Sequence, residues 1–306
     1  MQNLFFYATT VLIWGSTWFA ITFQLGAAAE SVSLYWRFGI AAVILIGYCY
    51  WRGLNMRFSM KEHRFIALQG LCLFSVNYLL FYWCTKYLTS GLVAVIFSTV
   101  IVMNIFNGAV FLKKSVEPLV LFGAVIGLTG IVLVFWSDVI SIRAEVDSSR
   151  VLTGLLLGLI ATLFASWGNV LSARNQMAGL PVIQTNAYGM LYGAVIMLVY
   201  SLVSGVSQEV DWSWSYSISL LFLAVPGSIF AFGAYLTLIG RIGADRAAYA
   251  TVLFPIVALL ISSVFEQFSF NAYSLVGIVL VLLGNTVVLG RRSLKPRAQT
   301  TAALED

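Results

Sequence analysis

The sequence predicts an all-α membrane protein of ten transmembrane helices, arranged as two inverted five-helix repeats with both termini in the cytoplasm. Three observations lead there: an apolar composition, ten apolar runs of spanning length, and residues that recur at a nearly constant offset. Of 306 residues, 60% are hydrophobic and only 9% are charged, against about 25% charged in soluble domains. Mean hydropathy is +0.94. With 17 Lys and Arg and 12 Asp and Glu, the chain cannot cover a soluble core of this size with polar surface. Secreted, cytosolic, disordered and nucleic-acid-binding classes fall on that ground. The net charge of +5 reflects loop topology rather than an anionic partner. Cys49, Cys72 and Cys84 lie in or at the end of apolar stretches, and an odd count implies no disulfide framework.

The first apolar run, 4–26, has no basic segment before it and no evident cleavage site. It is too long for a signal-peptide core and reads as a retained span. The others follow at 32–51, 65–84, 88–112, 118–136, 151–173, 182–203, 217–239, 246–264 and 272–290. About 20 helical residues cross ~30 Å of hydrocarbon. Runs this long are not the short alternating strands of an outer-membrane barrel, and lipid offers no partner to an open backbone.

Lys and Arg set the orientation. With the N-terminus inside, the inner loops hold Arg52, Arg57, Lys61, Arg64, Lys113, Lys114, Arg174, Arg241 and Arg246. The tail adds Arg291, Arg292, Lys295 and Arg297, while the outer loops hold only Lys86, Arg143 and Arg150. A bias of 13 to 3 puts both termini inside. The expected organisation is a first repeat at 1–136, a polar outer linker at 137–150, a second repeat at 151–290 and a basic cytoplasmic tail at 291–306.

The repeat is visible in named positions. At an offset of 153, Leu4, Ala8, Thr9, Trp14 and Gly15 align with Leu157, Ala161, Thr162, Trp167 and Gly168. At 154, Leu121, Gly123, Val125, Leu128, Gly130 and Val134 align with Leu275, Gly277, Val279, Leu282, Gly284 and Val288. Five spans is an odd number, so the second copy runs inverted. Inverted copies can gate opposite faces of one central site.

Further residues resemble a known family. Trp14-Gly15-Ser16 stands in the first span, Lys86-Tyr87-Leu88-Thr89-Ser90 leads into the fourth, and Arg241-Ile242-Gly243-Ala244 leads into the ninth. Pro255, Glu266 and the Gly277/Gly284 pair follow. Together, over about residues 4–290, they resemble the EamA type of the drug/metabolite transporter superfamily. The resemblance implies non-ATP secondary transport, with export expected, of small organic metabolites such as amino acids or related compounds. Two departures stand out: Val100 where the family pattern has a proline in span four, and Lys113-Lys114 where it has an acid. A membrane-embedded enzyme acting on a lipid or isoprenoid would need a buried acid, His or Cys cluster, which the spans lack. A channel has little use for an inverted repeat.

The candidate substrate-binding residues come from several spans. Trp14, Thr17 and Trp18 share a helical face in span one, with Ser16 beside them, far from the interface where Trp anchors. Trp167 and Asn169 are the repeat counterparts in span six, and inverted symmetry would set Trp14 and Trp167 on opposite walls. Asn77 and Tyr78 in span three, Tyr235 in span eight and Tyr249 in span nine complete an aromatic, neutral pocket. Arg37 is the one clear charge within a span, where a central Arg costs about 2.5–3.5 kcal/mol. It can reach toward the outer interface, meet a substrate carboxylate, or pair with Glu266 as a gate. Pro226 and Pro255 are hinge candidates, since an interior proline removes an i→i−4 bond. His63 reads as a solvated loop residue. With no phosphate loop and no metal-ligand cluster, no catalytic residue, metal or cofactor is expected. The expected partners are a small-molecule substrate and membrane lipid, with no nucleic acid, in a monomer or homodimer of the inner membrane. The Gly123/Gly127, Gly154/Gly158 and Gly189/Gly193 pairs read as packing sites within the chain first and a dimer face second.

Overall fold

The computed structural model describes residues 2–113, 118–134, 136, 147–235 and 250–290. Among these the protein is helical, without strands. In chain order the helices are α1 (Gln2–Thr22), α2 (Glu30–Trp51), α3 (Met60–Cys84), α4 (Ser90–Leu112), α5 (Pro118–Val134), α6 (Asp147–Met177), α7 (Val182–Val203), α8 (Trp214–Tyr235), α9 (Ala250–Phe265) and α10 (Ala272–Gly290). Seven of the described helices, α1 to α4 and α6 to α8, are long and apolar enough to cross a membrane. The other three carry the shorter apolar stretches Leu121–Val134, Val252–Phe265 and Ala272–Val287. The polar linker at 137–146, the stretch 236–249 and the basic tail lie outside the described residues.

Local chemistry marks several helix ends. Ser59 and Glu62 form a capping box at the start of α3: the Ser59 hydroxyl accepts from the Glu62 N–H at 3.3 Å, and the Glu62 carboxylate accepts from the Ser59 N–H at 2.5 Å. Ser213 caps α8 by accepting from the Tyr216 N–H at 3.3 Å. Lys113, in the left-handed region at φ 53°, ends α4.

The packing centres on α4. Every residue from Ser90 to Ile96 is buried, and α9, α1 and α6 pack around this half-helix. Outside it, α2 packs on α7, α1 on α9, α6 on α3, and α5 on α10. The α5–α10 contact is made backbone to backbone. A Cβ added at Gly277 would lie 2.5 Å from the Gly130 carbonyl oxygen, and one at Gly130 would lie 2.6 Å from the Gly277 oxygen. Gly284 meets the Gly123 oxygen in the same way, at 2.5 Å. The 154-residue offset carries Gly123 to Gly277 and Gly130 to Gly284, so it exchanges these two contacts. The remaining glycine pairs also face other parts of the chain: Gly154 meets Leu88 in the turn between α3 and α4, Gly158 meets Ile96, and Gly189 and Gly193 meet Phe74.

Three helices depart from α-helical winding near their middles. α3 carries a π-helical stretch at Cys72–Val76, and α8 one at Leu223–Phe230. In α8 the cause is visible: Pro226 has no N–H to give to the helix. The Ser228 hydroxyl then donates to the Leu223 carbonyl, five residues back, at 2.9 Å. In α3 no proline is present, yet the Ser75 hydroxyl donates to Leu71 at 2.6 Å and to Gly70, five residues back, at 3.3 Å. Ser75 and Ser228 stand 153 residues apart. α4 is interrupted at Ser98–Thr99, where the Ser98 hydroxyl donates to Val95 at 2.6 Å and that of Thr99 to Ile96 at 2.7 Å. Such side chains compete for helical carbonyls. The missing proline at Val100 therefore does not leave α4 straight-wound, because adjacent hydroxyls interrupt it two residues earlier.

Candidate functional site

A cavity of about 350 Å³ lies between α1, α2, α3, α4, α6, α8 and α9. α1 contributes Trp14, Thr17, Trp18 and Ile21, at the i, i+3, i+4, i+7 spacing of one helical face. α4 contributes Phe97, Val100, Ile101 and Asn104 at the same spacing. α3 supplies Leu73, Asn77, Tyr78 and Phe81, α6 supplies Ala165 and Asn169, and α8 supplies Phe232 and Tyr235. Phe254 of α9 and Arg37 of α2 close the lining.

The aromatic walls hold one another in place. The Trp14 ring contacts Phe232 at 5.1 Å and Tyr235 at 5.2 Å between centroids. Its indole N–H donates to the Gly227 carbonyl, in the π-helical stretch of α8, at 3.2 Å. The Trp18 ring stands edge-on to Phe81 at 5.0 Å and tilted against Phe97 at 5.3 Å. Asn169 donates to the Asn104 side-chain oxygen at 3.3 Å across α4 and α6. Arg37 is 2% exposed, its guanidinium 4.5 Å from the Tyr78 ring and 5.1 Å from that of Phe38. Its Nε and Nη1 have no hydrogen-bond partner, nor does the buried Oδ1 of Asn77. Among the described residues, no group of three or more His, Cys, Asp or Glu is arranged to hold a metal.

Of the residues singled out in the sequence, Trp14, Thr17, Trp18, Asn77, Tyr78, Asn169, Tyr235 and Arg37 meet at this cavity. Ser16 and Trp167 are not on its wall. Ser16 gives its hydroxyl to Leu12 at 2.8 Å and Ile13 at 2.9 Å within its own helix. The wall on α6 is Ala165 and Asn169, and Trp167 lies about 200° around the helix from each. Its ring packs on Phe164 at 5.1 Å instead. The expected pairing of Trp14 and Trp167 across one site is therefore corrected. Tyr249 lies outside the described residues.

Arg37 does not reach outward to the interface, and it does not pair with Glu266. The Glu266 carboxylate accepts from the Ser90 N–H at 3.0 and 3.2 Å and from the Ser90 hydroxyl. It thus caps the first turn of α4, where an anion suits the helix dipole. Pro226 sits in the π-helical stretch beside the Trp14 contact, and Pro255 follows the cavity residue Phe254. His63 is a correction too: it is half-buried, its Nδ1 lies 2.8 Å from the Tyr192 hydroxyl, and its ring stands edge-on to Tyr188 at 5.0 Å.

The sequence reading missed Phe97, Val100, Ile101, Phe232 and Phe254, whose apolar side chains resemble lipid-facing ones. The helical spacing of Phe97, Val100, Ile101 and Asn104 was the available signal.

The family model described as the EamA-like transporter family matches residues 2–136 and 152–290. The chain belongs to this family. It is 27% identical over 292 residues to the uncharacterized transporter YoaV of Bacillus subtilis (strain 168), covering 93% of this chain and 96% of that protein. It is 26% identical over 253 residues to the uncharacterized inner membrane transporter YedA of Escherichia coli (strain K12), covering 82% and 79%. A solved structure described only as "Crystal structure of protein" superposes with a TM-score of 0.65 over 96% of this chain and 99% of the other. At 16% identity this likeness shows the fold alone. The EamA-like chain is a multi-pass inner-membrane transporter and not an enzyme.

Proposed function

We propose that the protein is a secondary, non-ATP transporter that exports small organic metabolites, amino acids or related compounds, by alternating access through the central cavity. The observation that carries this reading is one partly open pocket whose walls come from both matched stretches of the chain, α1 to α4 in one and α6, α8 and α9 in the other. Trp14, Thr17, Trp18, Asn77, Tyr78, Asn169 and Tyr235 form the binding wall in this reading.

The ten-span, inverted-repeat arrangement with both termini cytoplasmic belongs to the same proposal. Its boundaries are 1–136 and 151–290, joined by an outer linker at 137–150 and followed by a cytoplasmic tail from 291. The bias of 13 inner to 3 outer basic residues supports it. So do the exchanged glycine contacts of α5 and α10 and the serine-bonded π turns 153 residues apart. The interrupted winding at Pro226 and at Ser98–Thr99 supplies hinges beside the pocket, and Pro255 is a third.

The test is counterflow in liposomes holding the purified protein. Vesicles loaded with an unlabelled pool of amino acids and related compounds should take up a labelled member of that pool transiently above equilibrium, without ATP. Uptake that only approaches equilibrium, unaffected by the internal pool, would mean a pore. Export predicts that cells overproducing the protein accumulate the same compounds outside; depletion of the medium would reverse the direction.

A further inference from the structure

We propose that Arg37 holds a carboxylate of the cargo, and that the cavity selects small monocarboxylates with an aromatic or bulky apolar body. This rests on the reading of the cavity as the transport site and narrows it. Arg37 is buried on the cavity wall, yet two of its nitrogens, Nε and Nη1, have no partner. A guanidinium cannot shed its proton as a buried Lys or His does. An uncompensated cation in the membrane interior is strongly unfavourable and marks a functional position. The Tyr78 and Phe38 rings stabilise the cation through their π faces without consuming its N–H donors.

The missing partner is an anion that the described part of the protein does not supply. Among the described residues, no Asp or Glu lines the cavity. Glu30 is paired with Lys86, and Glu266 is engaged with Ser90. A carboxylate matches the planar guanidinium fork and gains charge-assisted hydrogen bonds there. Asn77 adds an unpartnered acceptor next to Tyr78, which suits an N–H or O–H on the same ligand.

The rest of the wall fixes the body of the ligand. Trp14, Trp18, Phe81, Phe97 and Phe254 present ring surface. An engineered apolar cavity of about 150 Å³ takes benzene, so about 350 Å³ admits a one- or two-ring body. With no acid among the described residues of the wall, a free ammonium finds no counter-charge there. Among amino acids and related compounds, the fit is to those whose amine is absent or acylated.

Four probes of one shape separate these features: 3-phenylpropionate, 3-phenylpropanamide, L-phenylalanine and phenethylamine. Binding to purified full-length protein is read from the rise in the thermal unfolding midpoint with probe concentration. The expected result is that 3-phenylpropionate binds at least tenfold more tightly than each of the others. In Arg37→Met the ligand-free midpoint should hold or rise, because an unpaired charge is removed, and the preference for acid over amide should shrink to within twofold. Arg37→Lys should keep part of it. Equal binding of acid and amide to the unaltered protein overturns the proposal. So does binding of none of the four, or a tenfold preference that survives in Arg37→Met. If Arg37→Met does not fold, the acid-to-amide ratio of the unaltered protein and the Lys variant decide. Acid binding without counterflow in liposomes would refute the transport reading while leaving the site. Counterflow of other metabolites without acid preference would refute the site alone.

Discussion

Replacing Gly277 by Ala tests whether the backbone contact of α5 and α10 is as tight as it looks. The new Cβ would meet the Gly130 carbonyl oxygen at 2.5 Å and the Val134 nitrogen at 2.6 Å, whereas ordinary contacts begin at 3.4 Å. Both neighbours are backbone, so no rotamer change relieves them. The helices must part locally by about 0.9 Å, which forfeits a quarter to a half of the dispersion well for the facing atoms. Overpacking of this kind costs about 1–3 kcal/mol. Gly130→Ala should cost about the same, because its Cβ meets the Gly277 oxygen and Val281 nitrogen at 2.6 Å. The double variant should cost clearly less than the sum, since helices parted for one methyl already admit the other. The control is Gly47→Ala in α2, which meets nothing within 4 Å and should be neutral or stabilising by about 0.5–1 kcal/mol. Unfolding in mixed detergent micelles gives the four values. A neutral Gly277→Ala, or strict additivity in the double variant, would refute the close approach.

Three further outcomes follow from other parts of the fold. Trp14→Ala should lower counterflow at least tenfold while the protein is still made, because it removes the indole facing Phe232 and Tyr235; Trp167→Ala should leave the rate within twofold, and the reverse order would reassign the wall. Glu266→Ala should cost about 0.5–2 kcal/mol as a lost helix cap, and an imposed pH gradient should change transport only modestly. Steep accumulation driven by that gradient, abolished in Glu266→Gln, would make Glu266 a proton carrier instead. Cysteines placed by Glu145→Cys and Glu209→Cys should react with an impermeant thiol reagent on intact cells, whereas Lys61→Cys and Lys295→Cys should need permeabilisation. Labelling at position 61 from outside would overturn the orientation.

Much of the α1 wall was legible because Trp14, Thr17 and Trp18 combine large rings with a hydroxyl in mid-span, an unusual signature. The α4 wall was not, because Phe97, Val100 and Ile101 are what a lipid-facing helix also contains. In a bilayer, hydropathy separates span from loop but not lipid from cavity. Trp167 was misassigned for a different reason. The alignment equates Gly15 with Gly168, yet Gly15 abuts Val257 of α9 while Gly168 abuts Leu73 of α3. The halves share residues but rest against non-equivalent neighbours, so a role read across the offset need not transfer. The π stretch of α3 left one faint trace, Ser75 matching Ser228 at the repeat offset, which becomes meaningful only once both hydroxyls are seen bonding back along their helices.

The indole bond of Trp14 falls on a carbonyl that the winding of α8 releases from Ala231. In an α-helix the Gly227 oxygen would accept from the Ala231 N–H. Here that N–H goes to Pro226, five residues back, and leaves the Gly227 oxygen free for the indole. Tightening this turn to α-helical pitch would return the oxygen to Ala231, whereas pulling Trp14 away from the turn as it is wound here would leave that carbonyl bare in a membrane interior. The pitch of one helix and the posture of a ring on another thus meet at a single carbonyl oxygen.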